Sequence, residues 1–380
     1  MTTLVRTVFC RDSTTLNMPA AGAAALYEAI SRRTIAGLDG VRAIAVLSVV
    51  IHHAGWLRLN GSQGVLVFFT LSGFLITHLL LGEKEISLKR FYGRRALRLF
   101  PAFYAYWLVM VVYLILTHRE VPWGSAISAF FYVGNYHNAT HGHPATFVSH
   151  CWSLAVEEQF YLLWPFALIM IGREPKRLIR VLIGVILVAW VYRAVFWYAG
   201  GSGEWIYNSF DCRIDHLLVG CLGAVVLRAR AFPKLVDVVA RSGWLAIGLT
   251  VFFIVIGWYQ WELGDEFLWV VAHAIEPPIV LAVLMYIMAN ASRPSVRWLD
   301  SAPFRHVGKV SYGIYLFHQV IHSPVRSKTA FLPEVVQYLA VVVVSVAVAT
   351  LSYNLYEKPF LKLKERLRPE AAKHPAPKTA

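Results

Sequence analysis

The segment LDGVRAIAVLSVVIHH, residues 38–53, is an apolar run that begins with an acid and a base and ends with two histidines. In an α-helix, Arg42 and His53 return to nearly the same face, about 16 Å apart along the axis. Asp39 lies within about 60° of Arg42 on the same wheel, whereas His52 points about 80° away from Arg42. The segment therefore predicts an apolar helix with one polar stripe, formed by Asp39, Arg42 and His53.

This stripe has two interpretations. Ionisable residues within a membrane span cost about 2.5–3.5 kcal/mol each on insertion scales, and they usually face a bundle interior or a water-filled cavity. By that argument the stripe is a candidate functional site. Residue type alone also allows Asp39 and Arg42 to lie at the interface where the helix enters the membrane, with the histidines at headgroup level where it leaves.

The composition excludes a soluble protein. Of the 380 residues, 57% are hydrophobic and 15% are charged, and the mean hydropathy is +0.54. Apolar runs of about 20 residues predict transmembrane helices. Ten such runs are present, at roughly 36–57, 63–82, 99–117, 153–172, 178–198, 213–229, 242–260, 267–290, 308–325 and 334–356. The predicted fold class is all-α: a polytopic integral membrane bundle of about ten transmembrane helices.

The formal net charge is +14, and its distribution is a topology signal with no implication of nucleic-acid binding. If the N-terminus is cytoplasmic, the cytoplasmic segments hold 29 Lys and Arg residues and the outer loops hold 4. This bias predicts that both termini are cytoplasmic. The expected organisation is a cytoplasmic extension over residues 1–33 with an interfacial helix around Ala20–Ser31, a membrane domain over 34–360, and a basic, disordered tail over 361–380 that starts with a surface helix.

The segment RFYGRRALRLFP, residues 90–101, places Arg94, Arg95 and Arg98 within little more than one helical turn. Guanidinium groups bind phosphate bidentately, so this cluster is a candidate site for a phosphorylated cytosolic cofactor. The same cluster equally suits anionic lipid headgroups at the membrane surface. The composition does not choose between these two roles.

Polar residues interrupt three later spans. Ser153, Glu157, Tyr161 and Trp164 share a face of the fourth span with Glu158 beside them, Arg213 and Asp215 lie at the outer mouth of the sixth, and Ser311, Tyr315 and His318 share a face of the ninth. Each set could serve helix packing through hydrogen bonds or ion pairs. Together with the stripe of the first span, they indicate a polar cavity that opens outward.

The longest outer loop, residues 118–150, holds five histidines: His118, His137, His141, His143 and His150. HxH spacing suits a metal ion. No carboxylate or thiolate pattern accompanies these histidines, so we interpret the segment as a polar loop and expect no metal site.

Seven sequence blocks, in order, resemble acyltransferase family 3, the integral-membrane acyltransferases that O-acylate surface and secreted glycans in bacteria. They are Arg42-x10-His53 within LDGVRAIAVL…HH, FFTLSGFLIT, Arg95-x-x-Arg98, WSLAVEEQFYLLWP, RIDHLLVG, SYGIYLFH and YEKPF at Tyr356–Phe360. The resemblance implies a ten-helix, multi-pass enzyme of the bacterial inner membrane. It also implies acyl-CoA, by default acetyl-CoA, as co-substrate, and a hydroxyl of a glycan or glycolipid (O-antigen, exopolysaccharide or lipo-oligosaccharide) as acceptor.

Two features depart from the family pattern. Leu66 occupies the position before the paired phenylalanines where the family commonly has an acid. The fused extracytoplasmic esterase-like domain of longer members is not expected here, so transfer would be completed within the membrane domain or by a separate protein.

The residues and the resemblance together give a mechanistic hypothesis. Arg95 and Arg98, with Arg94 as a third member, would hold the donor's phosphates. His53 would accept the proton of the attacking hydroxyl or carry the acyl group covalently, and Arg42 would lie beside the donor arm or stabilise the oxyanion. A carboxylate from Glu157, Glu158 or Asp215 would orient His53. The residues expected to bind substrate are Ser153, Arg213, Asp215, Tyr315 and His318, and neither a tightly bound cofactor nor a metal is expected.

Two alternative functions remain open at this point. A macrolide-type natural product could replace the glycan as acceptor. A transporter or flippase of a glycan or lipid-linked intermediate would also have about ten spans and polar intramembrane residues. The sequence lacks the matching pair of Gly/Pro-broken segments that is typical of repeat-built transporters, which favours the enzyme.

Overall fold

The computed structural model describes residues 21–32, 34–55, 60–259 and 262–367, and this part of the chain is helical throughout, without a strand. The α-helices are α1 (Ala21–Ser31), α2 (Leu38–Ala54), α3 (Gly61–Gly82), α4 (Leu88–Leu116), α5 (Trp123–Phe130), α6 (Gly134–Thr140), α7 (Trp152–Ile171), α8 (Pro175–Tyr198), α9 (Gly203–Asn208), α10 (Phe210–Arg228), α11 (Pro233–Arg241), α12 (Gly243–Trp258), α13 (His273–Ala289), α14 (Pro294–Arg297), α15 (Ala302–Lys309), α16 (Ser311–Lys328), α17 (Glu334–Ser352) and α18 (Lys358–Arg366). Short 3₁₀ turns cover Ser149–Cys151 and Trp298–Asp300, and π-helical turns cover Phe267–Ala272 and Tyr353–Glu357. The all-α fold class is confirmed for the described residues.

Six of the described helices are long and apolar enough to cross a membrane, and the pair α11 and α12, bent by 78°, makes up to seven. The six are Gly61–Gly82, Leu88–Leu116, Ser149–Ile171, Pro175–Tyr198, Phe267–Ala289 and Glu334–Arg366. A helix occupies each of the ten predicted segments, but α2 and α12 have only 17 and 16 residues, and α10 and α16 carry charged residues. The chain is therefore a multi-pass membrane protein, while the count of ten spans and the cytoplasmic termini stay predictions.

Helix α3 packs against both α2 and α10. The contact between α3 and α10 is close because each helix presents a glycine to the backbone of the other. A Cβ atom at Gly73 would overlap the carbonyl of Leu217, and one at Gly220 would overlap the carbonyl of Thr70. Small residues permit such approach between helices in lipid, where apolar burial supplies little driving force.

One end of the bundle is tied together by arginines. The Arg94 Nη2 atom lies 2.5 Å from Glu83 Oε1, and Arg173 Nη1 donates to the Glu83 carbonyl at 2.6 Å. These bonds join the end of α3 to the start of α4 and the end of α7. The same end carries the small helix α1, whose first backbone N–H groups at Gly22 and Ala23 donate to Asp237 of α11.

The terminal segments match the expectations in part. Helix α1 agrees with the helix predicted around Ala20–Ser31. Helix α18, which ends at Arg366, agrees with the surface helix predicted at the start of the tail, and none of its residues is buried. Residues 1–20 of the predicted extension and 368–380 of the predicted tail lie outside the described residues.

Candidate functional site

The polar stripe of α2 begins with an ion pair. Arg42 Nη1 lies 2.9 Å from Asp39 Oδ1, and the two side chains are 21% and 37% exposed. Asp39 is in the first turn of α2, where its charge also interacts favourably with the helix dipole. Arg42 is thus oriented by Asp39 and still reaches solvent.

Arg42 has an electrostatic neighbour in α4, Arg98. Arg98 lies about 15 Å along α4 from its start, yet it is solvent-exposed, and its electrostatic neighbours include Arg42 and Arg95. The Arg95 guanidinium sits over the Tyr161 ring, 4.1 Å from its centroid. Among the described residues, neither Arg95 nor Arg98 has a hydrogen-bond or ion-pair partner. We call Arg42, Arg95 and Arg98 the arginine cluster, and guanidinium groups suit an anion such as phosphate.

Arg94, predicted as a third member, is placed differently. Its guanidinium pairs with Glu83 and also donates to the Leu367 carbonyl at 3.4 Å. A guanidinium that is held by a carboxylate and a carbonyl has little capacity left for a ligand. The structure therefore uses Arg94 to join α4 to α3 and to the segment after α18.

The two glutamates of α7 have different surroundings. Glu157 accepts hydrogen bonds from the hydroxyls of Ser72 and Tyr161, and Arg95 and Arg98 are among its electrostatic neighbours. Glu158 also has Arg95 as an electrostatic neighbour, but its buried Oε1 has no hydrogen-bond partner in the described part of the chain. Glu157 therefore belongs to the surroundings of the arginine cluster.

His53 lies at the opposite end of α2 and is paired with another histidine. Its Nδ1 lies 3.0 Å from the Val49 carbonyl oxygen and 3.3 Å from Nε2 of His318, with ring centroids 4.9 Å apart. His318 Nδ1 lies 2.6 Å from the Tyr315 carbonyl oxygen. A carbonyl only accepts, so in neutral His318 the proton is on Nδ1 and Nε2 is an acceptor.

The protonation of His53 follows from these contacts. Its Nδ1 carries a proton because it faces the Val49 carbonyl and the His318 acceptor, so Nε2 holds the free lone pair. Residue His53 is exposed, which makes that lone pair accessible. No carboxylate of the described residues hydrogen-bonds His53, so the expected orienting carboxylate is replaced here by a backbone carbonyl and His318.

A buried hydrogen-bond network lies next to the histidine pair. The Tyr315 hydroxyl donates to the His150 carbonyl at 2.6 Å and lies 2.6 Å from Ser153 Oγ. The His150 ring is 5.2 Å from the His318 ring, and its Nδ1 lies 2.7 Å from Gln319 Oε1. Tyr315, Ser153 and His150 are all buried. The structure thus brings Ser153, Tyr315 and His318 together as predicted, and adds His150 and Gln319, which the sequence analysis did not place in the site.

Asp215 and Arg213 have different hydrogen-bonding partners in the structure. Asp215 forms a fully buried ion pair with Arg193 of α8, at 3.0 and 3.1 Å, and accepts from Trp190 Nε1 at 2.8 Å. Arg213 instead donates to the Tyr207 carbonyl at 2.9 Å and lies near the rings of Tyr207 and Trp152. Asp215 is therefore engaged by Arg193 and not by His53, a pairing that no sequence spacing indicated.

The arrangement separates two chemistries along one helix. The arginine cluster at the start of α2 suits a bound anion, whereas His53 at its end presents an accessible base. The residue spacing puts these groups about 16 Å apart along the axis.

Comparison with known proteins adds independent findings. The model of the acyltransferase domain family matches residues 35–354. The chain is 34% identical over 367 residues to the peptidoglycan O-acetyltransferase OatA of Listeria monocytogenes, covering 87% of this chain and 56% of that protein. It is 32% identical over 370 residues to the O-acetyltransferase OatA of Staphylococcus aureus, covering 89% of this chain and 59% of that protein. The chain therefore spans less than two thirds of the length of these relatives, and no solved structure matches it.

Proposed function

The chain belongs to acyltransferase family 3, and we propose that it transfers an acyl group, by default acetyl, from acyl-CoA to a hydroxyl of a glycan. The observation that carries the proposal is the position of His53. Its Nδ1 is held by the Val49 carbonyl and His318, so an accessible Nε2 lone pair is left as the base. An imidazole with an ordinary pKa near 6.5 is the side chain best suited to accept a proton at physiological pH.

The arginine cluster is the proposed donor site. Arg95 and Arg98 lack partners among the described residues, and the 3′-phosphate and diphosphate of coenzyme A would supply the missing anions. We leave Arg94 out of the proposed donor site because Glu83 already pairs with it. Glu157, beside the cluster, would keep the guanidinium groups in place when no donor is bound.

Arg42 belongs to the donor site in this proposal. It is eleven residues from His53, about 16 Å along α2, so it is too far away to stabilise an oxyanion formed beside His53. The phosphopantetheine arm of coenzyme A is a long flexible chain that would lie along α2 between the two groups. The donor's phosphates would then be at Arg42, Arg95 and Arg98, and its thioester at His53.

In the proposed reaction, His53 Nε2 accepts the proton of the acceptor hydroxyl while that oxygen attacks the thioester carbonyl carbon. The tetrahedral intermediate collapses as the C–S bond breaks, and the acyl group becomes an ester on the acceptor. The coenzyme A thiolate takes the proton from His53. His318 and the Val49 carbonyl keep the other imidazole proton on Nδ1 throughout.

A glycan is the acceptor that the relatives support, because the Listeria monocytogenes protein is named a peptidoglycan O-acetyltransferase. We place the acceptor at the His53 end of the bundle, opposite the basic end, which would be the outer face of a bacterial inner membrane. Neither relative described above is named for a macrolide-type acceptor, so the glycan is the acceptor we propose.

The proposal is tested with purified protein in detergent micelles, where both ends of the bundle are accessible, supplied with radiolabelled acetyl-CoA and soluble peptidoglycan strands. We expect label in the strands as a base-labile ester, and release of free coenzyme A in equal amount. If the strands stay unlabelled while the donor is consumed, the protein hydrolyses the donor without transferring the acyl group to this glycan, and the proposed transfer is wrong. A donor that stays intact in the presence of strands would overturn the proposal.

A further inference from the structure

In the histidine-rich outer loop, His143 is fixed by both its backbone and its side chain. His143 follows Gly142, and both adopt a left-handed backbone conformation, with φ of 52° and 69°. The backbone N–H of His143 donates to the Asn138 carbonyl at 2.9 Å, which closes the turn after α6. A left-handed conformation is uncommon outside glycine, and such residues concentrate at functional sites.

Hydrogen bonds hold the His143 imidazole in one tautomer. Its Nδ1 lies 2.9 Å from Oδ1 of the fully buried Asn208. The Nδ2 atom of Asn208 faces two oxygens of Glu204, at 2.8 and 3.3 Å, so Oδ1 is the acceptor and His143 Nδ1 carries the proton. Nε2 therefore has a free lone pair and no partner among the described residues. Partial burial lowers the pKa of His143, which keeps the imidazole neutral at pH 7.

The surroundings of His143 connect it to the proposed active site. His53 and His143 are electrostatic neighbours. On its other side, the His143 ring meets the Tyr207 ring edge-on, with centroids 5.8 Å apart. The centroids of the Tyr207 and Trp269 rings are 6.3 Å apart, and both side chains are partly exposed. Partly exposed aromatic rings beside a hydrogen-bond acceptor suit a sugar ring, which has apolar C–H groups and hydroxyl edges.

We propose that His143, Tyr207 and Trp269 form a binding site for a sugar ring of the acceptor, in which His143 Nε2 accepts a hydrogen bond from a hydroxyl that is not acylated. This inference rests on the proposed function, since it places the acceptor beside His53. His53 takes the proton of the reacting hydroxyl, and His143 fixes the sugar that carries it. The two histidines of the HxH motif therefore have different roles. His143 binds the sugar, whereas the exposed His141 hydrogen-bonds only within its own turn.

The test uses His143→Gly, which keeps the left-handed backbone and removes the imidazole. The matched control is His141→Ala in the same loop. We expect the KM for soluble peptidoglycan strands to rise about three- to tenfold in His143→Gly, the loss of one neutral hydrogen bond. The KM for acetyl-CoA and the hydrolysis of the donor without acceptor should stay unchanged, and His141→Ala should match the parent protein in all three.

An unchanged KM for the strands in His143→Gly would overturn the inference. So would a lower kcat with an unchanged KM, because that result would make His143 part of the proton transfer. If His143→Gly loses donor hydrolysis, the same measurements on His143→Asn, which tolerates the left-handed conformation, decide the case.

Strand binding without donor, followed by tryptophan fluorescence, separates this inference from the proposed function. Binding to the parent protein that weakens in His143→Gly would support the site even if no acetyl transfer occurred. Equal binding by both proteins would overturn the site even if transfer were observed.

Discussion

The polar side chains at the two ends of α2 differ in whether they have hydrogen-bonding partners. At the first end, Arg95 and Arg98 have no hydrogen-bonding partner among the described residues, and Arg98 is exposed. At the other end, histidines are bonded to carbonyls and to one another. Elsewhere in the bundle, the buried Arg193 is also paired, with Asp215. A site that binds an anion needs positive charge left free, whereas a site that moves a proton needs imidazoles fixed in one tautomer. The difference indicates which end binds the donor and which performs the chemistry.

The strongest test of this comparison is His53→Ala. Removing a general base typically lowers the rate about 10²- to 10⁴-fold, so acetyl transfer from labelled acetyl-CoA should fall by that factor. The KM for the donor should change little, because the arginine cluster is intact. His52→Ala is the control, since His52 is adjacent in sequence but points away from the stripe.

Near-normal transfer by His53→Ala would remove His53 from the chemistry. A second measurement refines its role: the parent protein is mixed with labelled donor alone and then denatured. Label retained on the protein, and absent from His53→Ala, would favour a covalent acyl-histidine over general base catalysis.

The second test breaks the buried ion pair between Arg193 of α8 and Asp215 of α10. Arg193→Met leaves Asp215 as a buried, unpaired charge and should destabilise the protein by about 3–5 kcal/mol. Thermal unfolding in detergent, followed by circular dichroism, measures the change. The double variant Arg193→Met with Asp215→Leu should recover most of the loss, because an apolar pair replaces the ionic one.

If Arg193→Met proved as stable as the parent protein, the pair would contribute nothing to the fold, and the contrast between paired and free arginines would fail.

The third test concerns the free charges. Replacing Arg95 and Arg98 by Ala removes two charge-assisted contacts of about 1.5–3 kcal/mol each, so the KM for acetyl-CoA should rise at least tenfold, with stability unchanged. Lys89→Ala, an exposed basic residue in the first turn of α4, is the control. An unchanged KM for the donor would indicate that these arginines bind lipid headgroups and not the donor.

The smallest expected effect comes from His318, which positions His53. His318→Phe removes the acceptor for the His53 Nδ1 proton, and kcat should fall about tenfold, as one hydrogen bond of about 1.4 kcal/mol would predict. His318→Gln, whose amide oxygen can accept the same bond, should restore part of the loss. Equal activity in the two variants would show that His318 serves packing only.

The sequence predicted much of the architecture and part of the site. Helical periodicity put Arg42 and His53 on one face of a helix over Leu38–Ala54, and hydropathy located segments that are helical in the structure. The predicted roles of Glu157 and Asp215 beside His53 are not matched by their contacts. Glu157 hydrogen-bonds Ser72, and Asp215 binds Arg193. Both partners come from other helices, so no spacing within one helix could reveal them.

What the sequence determined by itself is therefore the membrane class, the helices and the face that each polar residue occupies. These properties depend on transfer free energy and on the 3.6-residue period, which are local. Only the tertiary structure decided which polar groups are paired and which stay free. His53 meets His318 from 265 positions away along the chain, while Arg98 meets no partner among the described residues. Close helix contacts such as the one at Gly73 fix these pairings, and their geometry depends on all the packed helices together.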